Sequence, residues 1–331
     1  GTLKPNFDIV VGDVVPSFDK ATISASLVRP DGVVGYGIRV AKSEEDMADD
    51  KKCTIQTQDR NQNGQNVDNP VFEVRNLQTN TEYYFQLFAF SAYNDTVKTE
   101  IKSFVTEFAK YQDEYVDLGT GILWAKFNVG AEKPTDIGNY YAWGELQPKS
   151  TYSASNYNLV FDIPLNGSSD RSTMTLPIDV SKRTVGNVDG FMLSSKEYYP
   201  DISGTKYDVA KAEWGGTWRM PTKEEWKKLS QYCTWTYTTV DGVPVFKVTS
   251  RQNSSKYIYL PAGGIKYNSS TIGNKTIANY WSSTLWTFTE ASYYGQKVFE
   301  MECNSADISD RRFDANTDRF DGCLVRPVMN K

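Results

Sequence analysis

Alternation of apolar and polar residues runs through the first third of the chain and predicts short β-strands there. In the segment TEYYFQLFAF, Tyr83, Phe85, Leu87 and Ala89 recur at every second position, so a strand presents them on one face. Similar runs are separated by Asp, Asn, Gly and Pro, which favour turns. These runs are KATISASLV, VVGYGIRVAK, VFEVRNL and VKTEIKSFVTE. Residues 43–69 are polar and charged, and we expect a long loop with little core there.

A different periodicity in the second part predicts one short amphipathic helix. In MPTKEEWKKL, Thr222 and Glu225 have the spacing of a capping box, in which the two side chains satisfy free backbone N–H groups. Trp226 and Leu229 then share one face of the helix. The tryptophans that we expect in the core around it are Trp214, Trp218 and Trp226. The segment YIYLPAGG reads as a buried strand that ends in a turn.

The distribution of aromatic residues indicates two domains. All 8 tryptophans lie between Trp124 and Trp286, so the first 106 residues contain none. Cores of such different composition belong to separate folding units. We therefore predict a first domain over residues 1–106, a linker over 107–113 and a second domain over 114–331.

The segment LQTNTEY, which ends at Tyr83, resembles the L-x-P-x-T-x-Y signature of fibronectin type III domains. In that family the tyrosine hydroxyl closes a turn between two strands, a contact known as the tyrosine corner. Thr79 stands at the position of the usual proline, and the early tryptophan of the family is missing. The resemblance implies an all-β immunoglobulin/fibronectin type III-like sandwich that acts as a spacer or scaffold.

Six segments after the linker occur in a recognisable order. They are EYVDLGTGILWAKFNVGAEKPTDIGNYYAWGE, WGGTWRMPTKEEWKKL, CTWTYTTVDGVPVFKVTS, YIYLPAGG, YWSST and DGCLVRPV. Together they resemble the Fibrobacter succinogenes major paralogous (FISUMP) domain of Bacteroidota surface lipoproteins, over about residues 113–329. The resemblance implies an α+β C-type-lectin-like fold. Residues 151–200 match no part of the family pattern and read as a long insertion, either functional or merely decorative.

The same resemblance implies where the protein works. The family is exported to the cell surface and held at the outer membrane by a lipid on an N-terminal cysteine, which this sequence does not contain at its start. No run of 18 apolar residues is present, so the lipid is the expected attachment to the membrane. We expect a monomer that binds a glycan or a host or bacterial surface protein.

Composition excludes several classes of chemistry. The chain has no histidine, which removes Ser-His-Asp and Cys-His catalytic sites and imidazole zinc sites. Its 4 cysteines form no CxxC motif, and one bridge, such as Cys303–Cys323, remains open. The net charge of -5 is mild and no basic stripe is present, so nucleic acid is not an expected partner. We predict no cofactor and no metal.

Two stretches are candidates for ligand binding. Tyr280 and Trp281 match the framework of the family, so Trp281 is expected in the core. In the variable proteins of the C-type-lectin-like fold, the residues that follow, and a second stretch here spanning Ala306–Gly322, form an exposed binding face. Large aromatic and arginine side chains on loops suit recognition. The predicted ligand-binding residues are Trp286, Phe288, Tyr293, Tyr294, Arg311, Arg312, Phe313, Arg319 and Phe320.

The sequence also suggests alternatives to a surface binding protein. The five aspartates between Asp307 and Asp321 suggest calcium, but interleaved arginines favour a self-neutralised charged segment. A relationship to formylglycine-generating enzymes would need reactive Cys303 and Cys323, for which no base is available. A structural fimbrial or tip subunit is a third alternative. Paired carboxylates can also catalyse glycoside hydrolysis, and the candidates for such a pair are Glu145, Asp136 and Glu213.

Overall fold

The chain divides into two structural units, Gly1–Lys110 and Tyr111–Lys331, which we call unit 1 and unit 2. The division falls inside the predicted linker of residues 107–113. The structure is a computed structural model, and it describes residues 5–159, 192–194, 197–198, 201–285 and 297–331. Within this part of the chain, no helix has the length and apolar character needed to cross a bilayer.

Unit 1 is built from antiparallel strands in two main sheets. Its strands are β1 (Asp8–Pro16), β2 (Ala21–Val28), β3 (Val33–Ala41), β4 (Thr54–Asp59), β5 (Asn61–Gln62), β6 (Gln65–Asn66), β7 (Val71–Val74), β8 (Glu82–Ser91), β9 (Thr96–Lys98) and β10 (Lys102–Val105). One sheet has the order β1-β2-β7 and the other β10-β8-β3-β4, with β9 also paired to β8. Strands β5 and β6 form a separate small hairpin.

The predicted apolar face of β8 lies in the core between the two sheets. Tyr83, Phe85, Leu87 and Ala89 are all buried, so the period-two prediction is confirmed. They pack in one cluster with side chains of the opposite sheet, including Ile23. Unit 1 therefore has the sandwich arrangement in which the inner faces of two sheets share a single core.

The tyrosine corner predicted from the sequence is present. The backbone N–H of Gln78 donates a hydrogen bond to Tyr83 Oη over 2.9 Å. Thr79, which stands in place of the family's proline, donates its hydroxyl to the Glu107 carbonyl at 2.7 Å and accepts from the Ala109 N–H at 2.6 Å. The threonine thus fixes the turn by hydrogen bonds to the last residues of unit 1.

The prediction of a long loop over residues 43–69 is wrong in part. Strand β4 pairs with β3 along its whole length, and two short 3₁₀ helices, Glu45–Ala48 and Asp50–Lys52, precede it. The strand has the sequence TIQTQD, and none of its side chains is fully buried. It is held in the sheet by backbone hydrogen bonds at the sheet edge and not by apolar side chains. An edge strand of this kind lacks the apolar alternation that would have revealed it.

In the residues that the structure describes, unit 2 combines short antiparallel sheets with two helices. Its helices are α1 (Val209–Trp214) and α2 (Lys223–Tyr232), and a 3₁₀ turn spans Ala154–Asn156. Its strands are β11 (Tyr115–Asp117), β12 (Ile122–Ala125), β13 (Met192–Ser194), β14 (Glu197–Tyr198), β15 (Cys233–Val240), β16 (Val243–Ser250), β17 (Tyr257–Pro261), β18 (Ile265–Tyr267), β19 (Ser270–Ile272), β20 (Ile277–Leu285), β21 (Lys297–Asn304), β22 (Asp307–Asp318) and β23 (Val328–Asn330). The three-stranded sheets are β11-β12-β23, β15-β16-β17 and β20-β21-β22, and the pairs β13-β14 and β18-β19 complete the set.

Helix α2 forms as its sequence predicts. Thr222 and Glu225 make both hydrogen bonds of the capping box, which fixes the start of the helix. Trp226 and Leu229 are completely buried. The Trp226 ring lies 4.9 Å from that of Trp124, and its Nε1 donates to the Trp281 carbonyl at 3.1 Å. These contacts attach the helix to two sheets.

Tryptophans hold the interior of unit 2 together, as predicted. Trp214, Trp218 and Trp281 are buried, and the rings of Trp214 and Trp218 make an edge contact at 5.2 Å. Trp281 Nε1 donates to the Tyr141 carbonyl over 2.6 Å, so its one polar group is satisfied. The segment YIYLPAGG forms β17 and the turn after it, which confirms the strand, but the strand is not fully buried because Tyr257 is exposed and Tyr259 is half-buried.

Candidate functional site

A groove with a volume of about 300 Å³ lies where helix α2 passes strand β22. We call it the basic groove, and its lining residues are Lys223, Lys227, Ser230, Ser309, Arg311, Phe313 and Asp314. The three residues from the helix follow each other at i, i+4 and i+7, which places them on one face. Ser309, Arg311 and Phe313 alternate along the strand and share its face toward the groove.

Strand β22 was expected as an exposed loop, and that expectation is wrong. Residues Asp307–Asp318 pair with β21, with irregular register near Glu300 and Glu302. The sequence has few apolar residues, so it resembles a loop in composition, although its side chains alternate between half-buried and exposed positions. Because the residues lie on a strand, their spacing is set by backbone pairing, and Arg311 and Phe313 must point to one side.

Trp235, on β15, supports the strand side of the groove. The guanidinium carbon of Arg311 lies 5.5 Å from the Trp235 ring centroid, and the Phe313 ring meets Trp235 edge-on at 6.2 Å. Arg311 Nη1 donates to the Ile308 carbonyl over 2.7 Å. Its buried Nε has no hydrogen-bond partner within the described residues. The cation is therefore held in position while part of its donor capacity stays unused.

The helix side of the groove is anchored by contacts at the start of α2. Glu225 forms an ion pair with Arg219 at 2.6 Å, in addition to its role in the cap. The backbone N–H of Lys223 donates to Thr284 Oγ1 at 3.1 Å, and the Lys223 ammonium lies 3.7 Å above the Phe299 ring. This cation–π contact orients the lysine side chain across the end of the helix.

The charge of the basic groove favours an anionic ligand. Three of its lining residues are cationic, Lys223, Lys227 and Arg311, whereas Asp314 is the one acid in the lining. This excess stands out in a chain whose net charge is -5. Cations held near aromatic rings and only partly exposed to water bind anions more strongly than freely solvated side chains do.

The structure describes five of the nine predicted ligand-binding residues, and these five fall into three groups. Arg311 and Phe313 line the basic groove. Arg312 is exposed and forms an ion pair with Glu302 on the neighbouring strand. Arg319 and Phe320 are buried. The remaining four, which lie outside the described residues, are Trp286, Phe288, Tyr293 and Tyr294.

Arg319 and Phe320 were expected on an exposed face, and this expectation is wrong because both side chains are buried. Strand β22 ends at Asp318 and the chain turns inward, with the Asp321 N–H donating to the Asp318 carbonyl at 2.9 Å. The Arg319 guanidinium lies 5.1 Å from the Trp143 ring, and Phe320 joins the same cluster. Burial lowers the pKa of Arg319 to about 10, which leaves it charged at neutral pH.

Sequence reasoning missed Lys223, Lys227 and Ser230. The sequence analysis placed Trp226 and Leu229 on the buried face of α2 and gave the opposite face no role. The i, i+4 spacing of Lys223 and Lys227 in the sequence does indicate that the two lysines share one face of the helix. Its partner strand lies about 80 residues further along the chain, and a pairing over that distance cannot be inferred from local periodicity.

The cysteines of unit 2 are buried free thiols. Cys303 and Cys323 are not bridged, so the disulfide left open by the sequence does not form here. Burial raises the pKa of Cys303 to about 12 and raises that of Cys323 well above its usual range, with Glu300 adding to the effect on Cys323. Both sulfurs are protonated at neutral pH, and a protonated thiol is a poor nucleophile.

The candidate acids serve local roles. Glu145 is buried, pairs with Lys149 at 2.5 Å and accepts from the Asn158 N–H at 2.6 Å. Asp136 pairs with Lys133 at 3.8 Å. Glu213 lies on α1. Across the described parts of the chain, no group of three or more cysteines and carboxylates is arranged to hold a metal ion.

Glu300 makes the stability of unit 2 depend on pH. Burial, with a smaller effect of the nearby Glu302 and Asp321, raises its pKa to about 7 against the opposing effect of hydrogen bonds from Cys323 and Asn279. The folded pKa exceeds the unfolded value, so the stabilising contribution is complete below about pH 4.5 and is lost as the pH rises through 7. Between pH 4 and 8, we expect the wild-type chain to lose about 3 kcal/mol more stability than Glu300→Gln.

Urea unfolding followed by tryptophan fluorescence at several pH values measures this difference. Glu302→Gln is the matched control, because Glu302 lies on the same strand and is less deeply buried. Its free energy of unfolding should fall with rising pH nearly as steeply as that of the wild type. Equal slopes for the wild type and Glu300→Gln would contradict the assignment.

No known protein family matches the chain, and no curated protein matches it either. Among solved structures, it is similar to the FN1–FN3 fragment of chicken CNTN1, with 20% identity and a TM-score of 0.24, over 30% of this chain and 30% of that fragment. The fn3 domain of human contactin 1 is matched at 14% identity and a TM-score of 0.25, over 34% of this chain and 91% of that domain. OgpA from Akkermansia muciniphila is matched at 18% identity and a TM-score of 0.23, over 32% of this chain and 29% of that chain.

The class of unit 1 follows from its own geometry. Its sheets have the strand orders β1-β2-β7 and β10-β8-β3-β4, and Tyr83 closes the corner before β8. Unit 1 is a fibronectin type III-like β-sandwich, the class to which the two contactin structures also belong. The chain spans under a third of the length of the CNTN1 fragment and of OgpA.

Proposed function

We propose that the chain is a non-catalytic surface binding or adhesion protein that recognises its ligand at the basic groove of unit 2. The ligand is an anionic glycan or an acidic patch on a surface protein. The observation that carries this proposal is the convergence of Lys223, Lys227 and Arg311 beside Phe313 in a groove of about 300 Å³. Grooves of this size with a few fixed polar groups and an aromatic side chain suit small ligands or single anchoring residues.

In this proposal, unit 2 has the C-type-lectin-like fold of the FISUMP domain. The residues of the six motifs supply its buried frame. Among them are four completely buried side chains, those of Trp218, Trp226, Trp281 and Arg326. The basic groove then lies on β22, within the stretch that the resemblance assigns to the binding face. A rigid frame that fixes the positions of surface side chains suits recognition.

The absence of catalysis is part of the proposal. Histidine is absent from the sequence, and the buried thiols of Cys233, Cys303 and Cys323 have raised pKa values. The proposed location is the cell surface, at the outer membrane, with unit 1 as a spacer between a lipid anchor and unit 2. The proposed state in solution is a monomer.

Single substitutions in the basic groove test the ligand-binding role. We expect Arg311→Ala and Lys227→Ala each to weaken binding 10- to 100-fold, because each removes a charge-assisted contact of roughly 1.5 to 3 kcal/mol. A glycan and surface-protein screen identifies a ligand, and calorimetry then gives the dissociation constant for each variant.

Lys228→Ala is the matched control for Lys227→Ala. Both lysines are exposed and adjacent on α2, but only Lys227 lines the groove. The control should bind within about twofold of the wild type, and all three variants should melt within a few degrees of it. Equal binding by Lys227→Ala and Lys228→Ala, or a purified chain that polymerises and binds nothing, would contradict the proposal.

A further inference from the structure

A second groove, with a volume of about 420 Å³, lies on another part of unit 2. We call it the tyrosine groove, after Tyr115, Tyr257 and Tyr259 in its lining. None of its lining residues lines the basic groove. We propose that the tyrosine groove is a separate binding site for an acidic saccharide, one that carries carboxylate or sulfate groups.

Tyrosine rings form an aromatic surface in this groove. Tyr257 and Tyr259 lie two residues apart on β17, so both point away from the core, whereas Ile258 between them is buried. Their ring centroids are 5.2 Å apart and the planes are inclined by 53°. Tyr115, on β11, lines the groove as well, and it is 40% exposed. Half-exposed rings at a concave site offer apolar faces on which the C–H side of a sugar ring can stack.

The groove also has a positive lining. Lys126 and Lys256 are among its lining residues, and none of the described residues in this lining is Asp or Glu. Lys126 pairs with Glu114 at 2.9 Å, which leaves Lys256 as the more available ammonium. Lys247 lies 4.1 Å from the ring of Tyr257 and adds a third positive charge nearby. Hydroxyls of a saccharide can bond to the tyrosine Oη atoms, and its acidic groups to the lysines.

The two sides of the groove are fixed by one buried side chain. Arg326 Nη2 donates to the Tyr259 carbonyl at 2.6 Å, and its Nη1 donates to the carbonyls of Ala125 and Lys126 at 3.1 and 3.3 Å. The guanidinium therefore joins the end of β12 to β17 from below. A preformed groove loses little conformational freedom when a ligand binds. This helps a ligand such as a sugar, which gains little free energy from burying apolar surface.

Titration of the full chain with defined oligosaccharides tests this proposal. The acidic probes are hexasaccharides of galacturonic acid, hyaluronan and sulfated chondroitin, and the neutral probes are cellohexaose and chitohexaose. We expect at least one acidic probe to bind at least tenfold more tightly than both neutral ones. Tyr257→Ala should weaken that binding at least tenfold, whereas Tyr267→Ala, an exposed tyrosine outside the groove, should leave it unchanged.

Three further variants identify which residues supply the affinity. Lys256→Ala should weaken the binding of the acidic probe several-fold and leave any binding of neutral probes as it was. Arg311→Ala and Lys227→Ala should leave the acidic saccharide bound at the tyrosine groove, so a failure of the basic groove and a failure of this site give different results. Melting temperatures identify any variant that has lost its fold, and Tyr115→Ala then replaces Tyr257→Ala.

Three results would overturn the inference. The first is that no probe binds, and the second is that neutral probes bind as well as acidic ones. The third is that a ten-residue polyglutamate peptide binds as tightly as the acidic saccharides and loses this binding in Tyr257→Ala, which would make the tyrosine groove a receptor for acidic peptides.

Discussion

Arg326→Ala is expected to lower the free energy of unfolding of unit 2 by about 3 to 5 kcal/mol. Arg326 is completely buried. Its Nε donates to Asn128 Oδ1 at 2.8 Å, and its two terminal nitrogens donate to three backbone carbonyls. Alanine would leave these acceptors without partners inside the protein and would open a cavity between β12 and β17. Burial lowers the pKa of Arg326 to about 10, so the removed group is charged at neutral pH.

Two comparisons make this result specific. Arg326→Lys retains the charge but cannot reach all four acceptors in a fixed plane, so we expect an intermediate loss. Arg251→Ala removes a partly exposed arginine with one hydrogen bond, to the Cys233 carbonyl at 3.2 Å, and should cost under about 1 kcal/mol. Tryptophan fluorescence during denaturation reports unit 2 alone, because unit 1 contains no tryptophan. A loss below about 1 kcal/mol for Arg326→Ala would contradict the structural role.

Asp208→Asn is expected to destabilise unit 2 by about 2 to 4 kcal/mol. The buried carboxylate caps α1 by accepting from the N–H groups of Ala210 and Lys211, and its other oxygen accepts from Gly204 and Met220. An amide has one oxygen, so its NH₂ group must face two backbone donors whichever way it turns. Burial raises the pKa of Asp208 to about 6, while the four backbone bonds oppose that shift, so the carboxylate is mostly ionised at neutral pH.

Asp241→Asn provides the control for this substitution. Asp241 is exposed in a turn with φ of 49°, a conformation that asparagine adopts as readily as aspartate. The control should unfold within about 0.5 kcal/mol of the wild type at pH 7. An Asp208→Asn chain of unchanged stability in the same denaturation experiment would show that the four hydrogen bonds contribute little.

Local patterns predicted the elements whose folding is locally determined. The capping box of α2, the buried face of β8 and the corner at Tyr83 depend on residues within about ten positions of each other, and the structure contains all three. Strands β4 and β22 were missed because polar side chains can form an edge or outer strand through backbone pairing alone. Pairing with a distant strand leaves little trace in such a sequence.

The candidate site was predicted in part for the same reason. Arg311 and Phe313 stand out by residue type, which the sequence displays directly. The helix residues that complete the groove became relevant only when β22 was placed beside α2. Arg319 and Phe320 have the same residue types as Arg311 and Phe313, and only the end of β22 at Asp318 decides that they turn inward.

The order β11-β12-β23 has a mechanical consequence for unit 2 when it is pulled from its two ends. Strand β12 is antiparallel to both neighbours, so β11 and β23 run in the same direction, and Tyr115 and Asn330 lie at opposite ends of the small sheet. Tension between the two ends of unit 2 therefore acts along the strands and strains both ladders in shear. Their hydrogen bonds must break together rather than one after another, which raises the force that unit 2 withstands.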